Sequence, residues 1–263
     1  MTTVIIKDDA GWNKLNASKD VILDMETITN KVVLITGASK GIGLGIAEAL
    51  VQQGAKVALT SRHLKDVEEV AKKLNQKGPG QAIGIQSNVV NFADEQAAVQ
   101  QVLNKWGQLD VLIANAGVGH FAPIEAMTVD QWNSTIDTNL TGVFHSVKAS
   151  LDALKKSKGY IITIASLAGT NFFAAGAAYN ASKFGLVGFT QAIMLDLRHY
   201  GIKVTTIMPG SVATYFNNHT PTDADAWKIQ PEDLGQMVVD LLKMHPRTLP
   251  SKVEVRPSQP PKR

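Results

Sequence analysis

The sequence predicts an α/β fold: a doubly wound, mostly parallel seven-stranded sheet flanked by helices on both faces. Three observations predict it. Seven short runs rich in β-branched residues recur along the chain, and the first six are mostly apolar on both sides. Longer stretches with helical periodicity lie between them. A glycine-rich turn joins the first run to the first helical stretch. Strands that are apolar on both faces belong to a parallel sheet covered by helices. Strand–helix alternation of this kind builds a doubly wound domain.

In chain order the runs are Val32 to Ile35, Val57 to Leu59, Ile83 to Ile85, Val111 to Ile113, Ile161 to Ile164, Val204 to Ile207 and Val253 to Val255. The helical stretches span roughly 42–53, 64–75, 92–106, 130–155, 177–200 and 231–243. One domain therefore covers 29–257, followed by a tail over 258–263. Residues 1–28 form an N-terminal extension that fits none of this pattern. It is polar and reads as a hairpin, a docked arm or a disordered tail.

Composition narrows the function classes. The chain has 263 residues, the size of one α/β domain. A net charge of +3 is too small to argue for nucleic acid or a membrane surface. The basic end, Lys262 and Arg263, reads as a solvated tail. The absence of cysteine excludes disulfides and thiolate metal sites, and no metal centre is expected. There is no signal-peptide pattern and no apolar run long enough to span a bilayer. A cytoplasmic protein is expected.

The first run leads into Thr36-Gly37-Ala38-Ser39-Lys40-Gly41-Ile42-Gly43, where a helical pattern begins. Glycine permits positive φ and close approach of a ligand to the backbone. A helix start offers free N–H groups and a positive dipole end to a pyrophosphate. A tight strand–helix turn is the plainer reading, but its place after strand one and before helix one favours a dinucleotide. The second run ends at Thr60-Ser61-Arg62. An NAD site carries an acid about 20 residues after the glycines, to bind the ribose 2′-hydroxyl. Ser61 stands there instead, with Arg62 beside it and Lys40 in the glycine turn. Two cations without a carboxylate suit a 2′-phosphate, so NADP(H) is expected over NAD(H).

Tyr179 and Lys183 are four residues apart and share a helix face. At an effective dielectric of about 20, an ammonium roughly 5 Å away favours a phenolate by about 3 kcal/mol. That amounts to about two pKa units, toward the range where acid–base catalysis is efficient. Ser166 follows the run Ile161 to Ile164, at a sheet edge where ligands bind, though a lone serine there is also a common turn residue. Asn139 interrupts a helical stretch at a loss of propensity, which a site role or simple solvent exposure would explain.

Taken together, Thr36-Gly37 with Gly41 and Gly43, Asn115-Ala116-Gly117, Asn139, Ser166, Tyr179 with Lys183, and Pro209-Gly210 with Thr214 resemble the short-chain dehydrogenase/reductase superfamily. The likeness is to its single-domain, Rossmann-type branch, close over residues 29–214. The resemblance implies roles. Tyr179 is general acid in reduction and base in oxidation. Lys183 holds the nicotinamide ribose and lowers the tyrosine pKa. Ser166 orients the substrate carbonyl, and Asn139 places a water that resupplies protons. Gly37, Ser39, Lys40, Gly41, Ile42 and Gly43 cradle the pyrophosphate. Asn115, Ala116 and Gly117 steady the sheet and line the adenosine ribose. Pro209, Gly210, Val212 and Thr214 meet the carboxamide. Asn88, with Val89 beside it, takes the place of the aspartate that usually meets adenine.

The resemblance also implies a substrate lid over about 215–230. Being short, it suggests an open pocket. The expected substrate wall comprises Gly119, His120, Phe121, Ala168, Asn171, Phe172 and Phe173 together with the lid segment from Tyr215 and Phe216 to Trp227. His120 and His219 read as surface histidines. The C-terminal stretch from Val253 departs from the Gly-Gly ending of ketoacyl reductases, which weakens that substrate assignment. The long helices near 130–155 and 177–200 resemble subunit-pairing helices, so a homodimer or homotetramer is expected. The function implied is an NADP(H)-dependent reductase of small carbonyl compounds, or an alcohol or sugar dehydrogenase running in oxidation. A catalytically idle NADP(H) sensor or scaffold is the alternative, and it is disfavoured because both Tyr179 and Lys183 are retained.

Overall fold

A computed structural model describes residues 27–259 in full, together with the backbone of 5–8 and 11–14. Strands β1 (Ile5–Asp8) and β2 (Gly11–Lys14) pair antiparallel, which agrees with the hairpin reading for that part of the extension. The rest of 1–26, and the tail beyond 259 with Lys262 and Arg263, lie outside the described residues.

The domain itself is one sheet of seven parallel strands. They are β3 (Val32–Thr36), β4 (Lys56–Ser61), β5 (Gln81–Gln86), β6 (Val111–Ala114), β7 (Tyr160–Ile164), β8 (Lys203–Pro209) and β9 (Lys252–Val255). Their order is β5-β4-β3-β6-β7-β8-β9, and every pairing is parallel. Each predicted run falls on one of these strands. Helices α1 (Gly41–Gln52), α2 (Leu64–Leu74), α3 (Phe92–Trp106), α4 (Val129–Ile136), α5 (Gly142–Ser157), α6 (Ala177–Leu197) and α7 (Pro231–Lys243) cover both faces.

The strands are apolar throughout because both faces are buried. In β3, Val33 and Ile35 point into one core with Ile46, Leu50, Leu234 and Val238 from α1 and α7. Val32 and Leu34 point into the other, with Val99, Val102, Leu154 and Leu186 from α3, α5 and α6. Burying each such side chain contributes about 1.5–3 kcal/mol relative to exposure. Helices α1 and α7 touch backbone to backbone. A β-carbon built on Gly235 would lie 2.5 Å from the carbonyl oxygen of Gly45. That close crossing seats the start of α1.

The helix expected over 130–155 is two helices. Asp137–Thr141 forms a π-helical turn between α4 and α5, centred on Asn139. Such one-turn bulges insert a residue into the helical ladder and occur often at functional sites. The neighbours of β3 lie on opposite sides of it, so the winding direction reverses between β3 and β6. In open α/β sheets ligands bind in the crevice at the carboxyl ends of such strands.

Candidate active site

The glycine turn occupies that crevice. Gly37 and Gly41 have φ of +66° and +60°, which L side chains rarely adopt. A β-carbon on Gly37 would also lie 2.8 Å from the Cα of Ala116. Asn115 fastens the turn: its Nδ2 donates to the carbonyl oxygens of Thr36 and Gly37, both at 2.9 Å. Its own N–H donates to the Thr36 hydroxyl. Helix α1 starts without a side-chain cap and with no acidic residue in its first turn. Its free N–H groups and dipole can therefore hold an anion; Ser39 precedes its start, and Ile42 and Gly43 lie in its first turn. The turn fits a dinucleotide pyrophosphate.

The groups expected around a ribose phosphate and adenine flank the turn. Lys40 and Arg62 are exposed cations, and Lys40 Nζ lies 5.5 Å from the ring centre of Tyr215. The Ser61 hydroxyl donates to the His63 carbonyl at 2.7 Å. Asn88 is exposed and Val89 buried beside it. The Asn88 side chain accepts from Val90 N–H, while its own N–H donates to Asp94.

Four side chains meet at the ends of β7 and α6. Ser166 follows β7 and lines the same cavity as Tyr179, its hydroxyl lowering the phenol's pKa against the effect of burial. It also accepts from the N–H of Ala168, capping the 3₁₀ turn Leu167–Gly169. The turn reading of Ser166 thus holds, and the same residue lines the cavity. Lys183 lies one turn along α6, its Nζ 5.7 Å from the Tyr179 ring centre and 3.0 Å from the Ile164 carbonyl that it donates to. Asn139 is fully buried, which rules out the solvent-facing alternative. Its Nδ2 donates to Ser182 Oγ at 3.0 Å and to the Val118 carbonyl at 2.8 Å. Its Oδ1 accepts from Val118 N–H at 2.8 Å, just past Asn115-Ala116-Gly117. Ser182 Oγ donates in turn to the Tyr179 carbonyl.

The electrostatics differ from the sequence expectation. Burial pushes the Tyr179 hydroxyl above its ordinary value, opposed by the Ser166 hydrogen bond. Burial also holds the Lys183 ammonium down, at about 8. Spacing along a helix carries no information on desolvation, and desolvation is the larger effect here.

A cavity of about 570 Å³ opens over Ser166 and Tyr179. From the expected wall it takes Ala168, Asn171, Phe173 and Trp227. Phe172 is a correction: it is 86% exposed and does not line the cavity. His120, Phe121, Tyr215 and Phe216 do not line it either; Phe121 and Phe216 pack on the Tyr179 ring instead.

A family profile described as short chain dehydrogenase matches residues 31–225. The chain belongs to that family. An uncharacterized oxidoreductase of Staphylococcus saprophyticus is 33% identical over 237 residues, covering 89% of this chain and all of the relative. The trans-4-hydroxycyclohexanecarboxylate dehydrogenase of Sinomonas cyclohexanicum is 36% identical over 194 residues, covering 72% and 75% of the two chains. Among solved structures, an alcohol dehydrogenase from Thermococcus sibiricus complexed with 5-hydroxy-NADP superposes with a TM-score of 0.83. It is 28% identical and covers 89% of this chain and 99% of its own.

In this short-chain dehydrogenase the cavity is open, as expected, and the segment read as a lid packs beside it. Phe216 packs on Tyr179, with ring centres 5.6 Å apart, and on Phe121 at 6.2 Å. A β-carbon on Gly119 would collide with its ring. The lid is anchored at Asp225, which accepts from Lys228 Nζ at 2.5 Å and from Thr222 N–H. Those bonds hold its carboxyl well below the usual range, helped by His219 at 2.6 Å. His219 is thus part of the lid anchor and away from the reacting groups. Thr214 closes the lid's near end against Gly41, and Val212 pairs with Ile229 across its base.

Sequence reasoning missed Asn180. Its Nδ2 donates to the carbonyls of Ala168 and Asn171, and its Oδ1 accepts from Phe173 N–H. It ties the cavity wall to the helix that carries Tyr179. An asparagine in a helix's first turn, next to a candidate tyrosine, was the available signal.

Proposed function

We propose that this dehydrogenase transfers a hydride between NADP(H) and a carbonyl or secondary alcohol carbon, with Tyr179 as general acid and base. The observation that carries the reading is that Ser166 and Tyr179 line one cavity, with the Lys183 ammonium 5.7 Å from the centre of the phenol ring. Two hydroxyls converging on one side of a cavity can hold one substrate oxygen. When bound, the nicotinamide supplies the hydride acceptor or donor.

In reduction the substrate carbon gains a hydride while its oxygen takes the Tyr179 proton. In oxidation the alcohol oxygen returns a proton to Tyr179 and the carbon loses a hydride. Ser166 steadies that oxygen in both directions. Because burial raises the tyrosine, the phenol is protonated at neutral pH and ready to donate. Oxidation therefore gains as pH rises. Lys183, facing the space between Gly117 and Tyr179, would hold the nicotinamide ribose. Asn139 fixes the π turn behind it and would place the proton-supplying water. Pro209, Gly210, Val212 and Thr214 would border the nicotinamide, and Asn88 and Val89 the adenine.

NADP(H) is preferred in this reading because Lys40 and Arg62 flank the turn and no acid ends β4. The Thermococcus enzyme, complexed with an NADP derivative, supports the same cofactor class. A dimer or tetramer is part of the proposal, supported by exposed Phe144, Phe184 and Leu195 on α5 and α6. A cytoplasmic site of action belongs to it too.

The test uses NADPH and a panel of aldehydes and ketones, followed by loss of reduced-nicotinamide absorbance. Tyr179→Phe should abolish turnover while NADPH fluorescence still reports binding. Turnover retained by that variant would remove Tyr179 from the reaction.

A further inference from the structure

We propose that the substrate carries a carboxylate, gripped by Arg256 while its reacting carbon lies at Ser166 and Tyr179. This rests on the oxidoreductase reading above and names the substrate class for the same cavity.

The cavity brings unlike groups together. Ser166 and Tyr179 supply the hydroxyls, Phe173 and Trp227 are aromatic lining, and Arg256 and Gln259 come from the C-terminal segment. Arg256 is the sole formally charged residue among the described residues that line it. Its position follows from the sheet. Strand β9 pairs with β8 in the register Pro209 with Val255, and Gly210 N–H donates to the Val255 carbonyl at 2.8 Å. A β-carbon on Gly210 would lie 3.3 Å from Pro257 Cδ. The chain leaving β9 is therefore packed against Pro209-Gly210, which brings Arg256 into the cavity lining.

The guanidinium has donors to spare. Its Nη2 donates to Glu254 at 3.3 Å, in a pair with side-chain exposures of 59% and 39%. A long, exposed pair of that kind is weak. Five N–H donors in a planar fork match a carboxylate with two parallel bonds. A neutral substrate gains little from that charge, and a cationic one is repelled. Phe173 and Trp227 suit an apolar body between the acid and the reacting carbon.

The test compares three oxo acids of increasing reach (4-oxopentanoate, 5-oxohexanoate and 4-acetylbenzoate), each against its neutral amide, with NADPH. Wild type should favour at least one acid over its amide by about tenfold in kcat/KM, through KM, as expected for one charge-assisted hydrogen bond. The preference should shrink as salt is added. Arg256→Gln should bring the acid-to-amide ratio close to one. Glu254→Gln, which releases the guanidinium, should raise it. Equal use of acids and amides by wild type, or an unchanged ratio in Arg256→Gln, would overturn the proposal. If no carbonyl in the panel is turned over, the oxidoreductase reading fails separately. Saturation-transfer NMR then decides on Arg256. Binding of 4-acetylbenzoate by wild type but not by Arg256→Gln would support it, and equal binding by both would overturn it.

Discussion

The ammonium of Lys183 donates to the carbonyl oxygen of Ile164, 3.0 Å away, from a fully enclosed position. One carbonyl does not replace the water around a charge, so burial brings the group from 10.5 to about 8. The folded value lies below the unfolded one. Between about pH 8 and 10.5 the unfolded chain therefore binds more protons, and stability rises with pH through that window. At neutral pH the buried charge destabilises the fold by about 3 kcal/mol at most. Tyr179 acts in the opposite sense at higher pH. Its value is raised above 10.0, so stability falls as pH climbs past that of the unfolded phenol. We expect Lys183→Met to lose turnover yet to be more stable than wild type at pH 7, by about 1–3 kcal/mol. The advantage should fade toward pH 10. Urea melts at several pH values check this, and a pH-independent difference would contradict the burial argument.

Asn139 has the opposite character: its buried polar group is fully matched. It joins the π turn to Val118 on one side and to Ser182 on the other. Asn139→Ala would leave the Val118 N–H and carbonyl without partners and free Ser182, which holds the Tyr179 carbonyl. Stranding buried groups of this kind costs about 1–3 kcal/mol. We expect a Tm lower by roughly 2–10 °C for a domain of this size, together with a drop in kcat. Calorimetry and steady-state kinetics on the same preparation check both. An unchanged Tm would mean that water replaces the asparagine, and the π turn would then need another explanation.

What could be read from the sequence follows from locality. Strands β3 to β9 were visible because a sheet covered on both faces leaves a β-branched run at each crossing. The glycine turn was visible because positive φ at Gly37 and Gly41 restricts residue choice there. Tyr179, Lys183 and Ser166 became candidates through the family resemblance, since the spacing of the first two alone also suits a solvated helix face. Arg256 and Gln259 were not assigned to the wall, since they reach the cavity from sequence far from Tyr179, by way of sheet pairing. Phe172 and Phe173 show the same limit at short range. Which of two adjacent aromatics faces inward depends on the loop that Asn180 ties down, and no periodicity encodes it. The seat of Phe216 was hidden for a related reason: the absence of a side chain at Gly119 lets it settle onto Tyr179, a contact between distant segments.

The cofactor preference can be tested apart from turnover. Lys40 and Arg62 are both exposed, so neither is held in place by burial or by an ion pair with an acid at the end of β4. An exposed cation contributes modestly to a protein ion pair, but a phosphate dianion and a guanidinium form charge-assisted, two-pronged bonds. We expect Arg62→Ala to weaken NADPH binding about tenfold while changing NADH by less than about twofold. Lys40→Ala should act in the same direction and more weakly, because its ammonium already lies over the Tyr215 ring, 5.5 Å from the centre. Both differences should diminish in high salt, where exposed charges are screened beyond a few ångströms. Fluorescence titrations with the two cofactors at low and high ionic strength measure this directly. Equal losses for NADPH and NADH in Arg62→Ala would show that the residue acts through the β4–α2 turn, whose Arg62 carbonyl accepts from Gln86 at 3.0 Å, and would remove the ground for a 2′-phosphate site.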